Sequence, residues 1–123
     1  MTADTFRKMA LGYPQAAESS HMDHPDFRIS GRIFATLGYP DDNWGMVKLT
    51  PEQQHSFVRK APGVFNPCSG AWGQRGATSV HLASAKKSVL QPALDAAWTN
   101  VTTKAKKKLL PHRTRPKQRA SRD

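Results

Sequence analysis

The chain has 123 residues, enough for one compact domain and a tail, and its 37% apolar residues fall below the ~45–50% of an average domain. Its net charge of +10 is uneven: residues 1–103 hold ten Lys and Arg against eight Asp and Glu, whereas residues 104–123 hold nine against one. A near-neutral domain needs no polyanion to explain it, one cysteine (Cys68) excludes an intrachain disulfide or a multi-thiolate metal site, and no apolar run nears the ~18 residues of a membrane span.

The first residues lack the basic-then-apolar layout of a secretory signal, so a cytoplasmic, reducing setting is expected. Thr2 can cap a first helix, with Asp4 in its first turn and Phe6, Met9 and Ala10 on one face. Gly12 and Pro14 end it. Residues 16–23 alternate weakly and read as a strand, with a turn at His24-Pro25-Asp26. Residues 27–29 and 32–37 read as strands joined by a Ser30-Gly31 turn. Residues 38–43 hold Gly, Pro, two Asp and Asn, which is strong turn chemistry. Residues 44–49 return as a strand.

Thr50-Pro51-Glu52-Gln53 is the clearest local signal. Thr50 can cap, Pro51 suits the first helical position, and Gln53 can complete a capping box. That helix is expected to carry Phe57 and Val58 inward and to end near Lys60, before Ala61-Pro62. Residues 62–76 read as a structured Pro/Gly loop with a short strand near residues 64–66, and residues 77–82 as a strand. A last helix spans residues 88–103, with Leu90, Leu94, Ala97 and Val101 as its stripe and Pro92 confined to the first turn. Residues 104–123 have no helical apolar period and two prolines, and are expected to be a disordered basic arm.

The order helix, three strands, helix, two strands, helix, with loops too short for most crossovers, predicts an α+β fold: an antiparallel sheet with helices on one face. Residues 24–28 (HPDFR), 31–35 (GRIFA), 44–49 (WGMVKL) and 70–73 (GAWG) together resemble the MmcQ/YjbR-like family, over about residues 5–101. The resemblance implies an α-β(3)-α-β(2)-α domain, similar to type III secretion chaperones. It also implies the double-wing DNA-binding motif by which that family is commonly described. The domain is thus placed at residues 1–103 and the tail at 104–123.

Catalytic chemistry finds little support in the sequence. His21, His24 and His81 form no complete zinc pattern, and a strand end separates the first two. Cys68 has no catalytic elbow around it, and the glycines of residues 70–76 match no phosphate-loop spacing. Asp41 and Asp42 read as turn residues. No catalytic residue, metal or cofactor is expected.

A surface remains. If Ile33, Ala35, Leu37, Val47, Leu49, Val80 and Leu82 face the helices, then Arg32, Phe34, Trp44, Met46, Lys48 and His81 occupy the opposite face. Rings between cations can stack bases and contact phosphates. The competing arrangement is a second small core of Phe34, Trp44 and Trp72 under the 62–76 loop. The leading expectation is a non-enzymatic nucleic-acid binder, with DNA as the first candidate. Its contacts would come from Arg32, Lys48, Trp44, Arg59, Lys60, Arg75 and the tail's Lys104, Lys106, Lys107 and Lys108. The alternatives are a protein-interaction or chaperone-like module, as a monomer or weak homodimer, or a small-molecule binder with a pocket of Trp72, His81 and Arg75. No membrane partner is expected.

Overall fold

The computed structural model describes residues 1–109, leaving out the side chains of His21 and of residues 104–109. Helix α1 (Ala3–Leu11) starts where expected: the Thr5 N–H donates to Thr2 Oγ1 at 3.1 Å. It buries Phe6 and Ala10. Four strands follow, β1 (Ala17–His21), β2 (His24–Ile29), β3 (Arg32–Leu37) and β4 (Trp44–Lys48). After them come α2 (Pro51–Lys60), β5 (Phe65–Pro67), α3 (Gly70–Gln74), β6 (Ala77–His81), a 3₁₀ turn at Leu82–Ser84, and α4 (Lys87–Leu109). The sheet has six strands in the order β1-β2-β3-β4-β6-β5, and every pair is antiparallel. The α+β architecture stands; all six strands read along the chain are present, one more than the three-plus-two order counted, and a short helix lies where a loop was expected.

The turns show how local chemistry sets register. Ser30 (φ 51°) and Gly31 (φ 80°) close the β2–β3 hairpin with two positive φ values, as a tight twisted hairpin needs. Asp41 caps the turn before β4, its Oδ1 accepting from Asn43 N–H at 2.8 Å. The first hairpin turns elsewhere than expected, at Met22 (φ 51°) and Asp23 (φ 66°), while His24, Pro25 and Asp26 lie inside β2. Pro25 is tolerated there because β2–β3 pairing begins only at Asp26↔Thr36. Asp26 is held in the strand by an ion pair with Arg28, at 2.8 and 3.1 Å.

One helical layer, α1, α2 and α4, covers one face of the sheet. Phe27, Ile29, Phe34, Ala35, Leu37, Val47, Phe65 and Val80 pack there against Phe6, Leu90, Leu94, Ala97 and Val101. Full burial of each large side chain is worth roughly 1.5–3 kcal/mol. The capping box of α2 is complete: Gln53 N–H donates to Thr50 Oγ1 at 3.1 Å, and Thr50 N–H donates to Gln53 Oε1 at 2.9 Å. Asn100 of α4 ties this corner down, donating to Gln53 Oε1 at 2.8 Å and to the Lys48 carbonyl at 3.2 Å.

Helix α4 departs from expectation at both ends. It begins at Lys87 and contains Pro92, and it continues to Leu109 rather than stopping at Thr103. Pro92 and Ser88, whose carbonyl loses its helical partner, are both exposed, so water can serve that carbonyl, while Leu90, Ala93 and Leu94 are buried beside them. The first six residues assigned to a disordered tail are therefore helical backbone. The expectation for residues 110–123 lies outside the described residues. No helix among the described residues is long and apolar enough to cross a membrane.

Candidate nucleic-acid interface

Strand β3 does not alternate throughout. Phe27 pairs with Ala35, but the next residue, Arg28, pairs with Ile33, so Phe34 is an extra residue in a β-bulge. The bulge puts Phe34 beside Ala35 in the helix-side core. Phe34 is fully buried, its ring edge-on to Tyr13 with 6.0 Å between centroids. Ile33 turns the other way, sharing the opposite face with its partner Arg28. The expected positions of Phe34 and Ile33 are thus exchanged. The imagined second core of Phe34, Trp44 and Trp72 does not form, because Phe34 is in the main one.

Met46 also departs from the expected open position. It is 1% exposed, although it is not part of the helix-side core. The segment carrying α3 lies over that face. Its Trp72 borders the same grooves as Ile33 of β3, two strands away from β6. Several close contacts fix this segment. A Cβ on Gly73 would lie 1.7 Å from the Cys68 carbonyl oxygen, and one on Gly76 (φ 114°) 2.0 Å from that of Leu49, so only glycine fits either place. Gln54 of α2 donates through Nε2 to the carbonyls of Gly73 and Ala77, both at 2.9 Å. Cys68 is a structural thiol here. Its Sγ is 3.3 Å from Ser79 Oγ, and burial pushes its pKa up, against nucleophilic use.

Two grooves flank Trp72. The first, of about 740 Å³, wraps around the end of the sheet between the β2–β3 turn, the end of β4, α3 and the C-terminal half of α4. Arg32, Lys48 and Arg75 line it together with Thr50 and Asn100, and no Asp or Glu among the described residues does. Arg32 enters from the strand end rather than from the open face: it pairs with Ile29, whose side chain is in the helix-side core. The second groove, of about 680 Å³, lies on the face opposite the helices, with Met22, His24, Thr36, Tyr39 and Asp26 around it. Asp26 is 1% exposed and engaged by Arg28, whose pKa it raises. Ile33, Trp72 and Arg75 belong to both grooves, which are therefore adjacent.

The structure thus gathers Arg32, Lys48 and Arg75 and leaves out the other described candidates. Trp44 starts β4, at the end opposite Lys48, and tilts against His81 with ring centroids 4.9 Å apart; it borders neither groove. His81 is held by Ser84, with Nδ1 2.8 Å from Oγ, and is likewise absent from the pocket expected to join it to Trp72 and Arg75. Arg59 and Lys60 are exposed on the last turn of α2, away from both grooves. Lys104, Lys106, Lys107 and Lys108 lie on α4 backbone, but their side chains are outside the described residues. His24, expected in a turn, instead starts β2 and packs edge-on against Tyr39 with centroids 5.9 Å apart. It is separated from His81 by β3 and β4. No group of three or more His, Cys, Asp or Glu among the described residues could hold a metal ion.

The residues missed by sequence reasoning are Tyr39, Met22 and Ile33. Tyr39 and Met22 carried a usable signal, being large apolar side chains inside tight turns, and they are 53% and 79% exposed. Ile33 carried none, since its orientation depends on the bulge.

No curated protein matches the chain significantly. Among solved structures it is similar in fold to the crystal structure of the Deinococcus radiodurans protein DR2400, of domain class DUF419. The TM-score is 0.71 at 20% identity, covering 85% of this chain and 80% of that one. The family model described as YjbR matches residues 11–100, and the chain belongs to the YjbR family.

Proposed function

We propose that this chain is a non-enzymatic protein that binds nucleic acid through the groove at the end of the sheet. The observation that carries the reading is the convergence of Arg32, Lys48 and Arg75 on one concavity that no carboxylate among the described residues lines. Such a groove favours a polyanion, and Thr50 and Asn100 add neutral polar groups suited to phosphate or sugar. Exposed Trp72 beside the cations supplies a ring that a base can stack on. The nine basic residues of positions 104–123 would add affinity without selectivity.

Titration of the full chain against duplex and single-stranded DNA at two salt concentrations tests this. Binding that weakens steeply with salt is expected, and no binding at low salt refutes it. If removal of residues 104–123 abolishes binding, the tail is the binding element and the groove is not.

A second reading, a protein-interaction module, is favoured by the exposure of Met22 (79%) and Tyr39 (53%) beside the second groove. It predicts self-association or partner capture without nucleic acid. Sedimentation of the free chain discriminates: a stable dimer dispersed by Met22→Asp supports it.

A further inference from the structure

Resting on the nucleic-acid reading, we infer that the ligand is single-stranded, with a base held between Trp72 and Tyr39 in the second groove and the adjoining phosphates on Arg32 and Arg75 in the first. Three observations lead here. The two grooves are adjacent and share Ile33, Trp72 and Arg75, so neighbouring parts of one ligand can reach both, one on the face of the sheet and one around its end. Their chemistry differs in the sense a nucleotide needs: among the described residues the first gathers three cations and no carboxylate, whereas the second is lined mainly by rings and aliphatic groups, its one carboxylate, Asp26, being 1% exposed and paired with Arg28. Both aromatic residues are partly exposed, Tyr39 at 53% and Trp72 at 39%, so their faces are not consumed by the core.

The concave shape decides against a duplex. In a double helix the base faces are stacked on one another and cannot reach a ring on the wall of a groove. An unpaired base can turn out and stack, and volumes near 700 Å³ are of the size that takes a small-molecule moiety. Thr36 and His24 border the base groove and offer hydroxyl and imidazole groups to a base edge. Ile33 underlies the junction as an apolar floor. It is on that side only because of the Phe34 bulge.

The test uses the full chain with a fluorescent oligothymidylate and a duplex of equal length, in low salt. The single strand is expected to bind at least tenfold more tightly. Trp72→Ala is expected to weaken single-strand binding about tenfold while leaving duplex binding and the salt slope unchanged. Tyr39→Ala, at a position 53% exposed, is expected to act in the same direction, and Trp72→Phe to retain most of the affinity. Equal binding of the two forms, with both alanine variants unchanged, overturns the single-strand inference and leaves the proposed function intact. Failure of both forms to bind overturns the proposed function itself.

Discussion

The two faces of the sheet are built from the same strands and meet different fates. On the helix side, α1, α2 and α4 bury Phe6, Phe27, Phe34, Phe65, Leu90 and Leu94 completely. On the other side the cover is a five-residue helix and its flanks; Met46 is buried on that side, but Trp72, Tyr39 and Met22 are exposed. One face is filled and fixes the fold. The other is only partly roofed, and a partly roofed face leaves grooves. The difference teaches that the apolar pattern of a strand does not by itself say which face will be available. The roof here is brought by Gly73 and Gly76, which permit the backbone to approach the sheet, rather than by any large side chain.

The sharpest way to break this comparison is to exchange neighbours across the bulge. Phe34→Ala removes a fully buried ring and should cost about 3–5 kcal/mol. Ile33→Ala, on the groove side and only half-buried, should cost about 1 kcal/mol. Urea denaturation of the two variants decides it; the reverse order, with Ile33→Ala costing more than Phe34→Ala, would mean that the strand alternates through residues 33–35 and has no bulge.

Gly73→Ala tests the roof. A methyl group 1.7 Å from the Cys68 carbonyl oxygen forces α3 away from the backbone that leads into it from β5, at a cost of about 2–3 kcal/mol. Because α3 carries Trp72 and is followed by Arg75, this variant should also lose nucleic-acid affinity in proportion well beyond that of Ile33→Ala. A stable variant with unchanged binding would show that the roof does not shape the grooves.

What was legible in the sequence was whatever neighbours decide. Ser30-Gly31 closes its hairpin, and Thr50-Pro51-Glu52-Gln53 starts its helix, because the interacting groups lie within three residues of each other. Residues 24–26 were misread for the same reason: His-Pro-Asp has turn chemistry, and the ion pair that keeps Asp26 in a strand needs the side chain of Arg28 to point its way. The bulge at Phe34 was not legible, since register belongs to the pairing of two strands. Nor was the gathering of Arg32, Lys48 and Arg75, which requires residues 68–76 to fold across β6 and β4. Trp44 shows the reverse error. It has the right residue type and faces the right way, but it is at the wrong end of its strand.

The smallest effect concerns the filled face. Tyr13 joins α1 to α4, its hydroxyl bonded to the Asp95 carboxylate and its ring stacked on Trp98 with centroids 6.0 Å apart. Burial, then the Asp95 hydrogen bond and charge, raise its pKa above the ordinary value. The folded chain therefore holds the phenolic proton more tightly than the unfolded one. That contribution is complete below about pH 10 and is lost as pH rises further. Stability measured from pH 8 to 11 should fall at the alkaline end in the wild type and less so in Tyr13→Phe. Nucleic-acid binding at neutral pH should be indifferent to that change, since Tyr13 borders neither groove.

The central claim is that cations gathered in the groove, and not basic charge in general, bind the ligand. Two double variants remove equal charge from the two sides of the molecule: Arg32→Ala with Arg75→Ala in the groove, and Arg59→Ala with Lys60→Ala on α2. Salt titrations of single-stranded DNA binding compare them directly. The groove pair should weaken binding and lower the slope of log affinity against log salt by about 1.5, as two lost phosphate contacts require. The α2 pair should leave both unchanged. Equal effects from the two pairs would contradict the account.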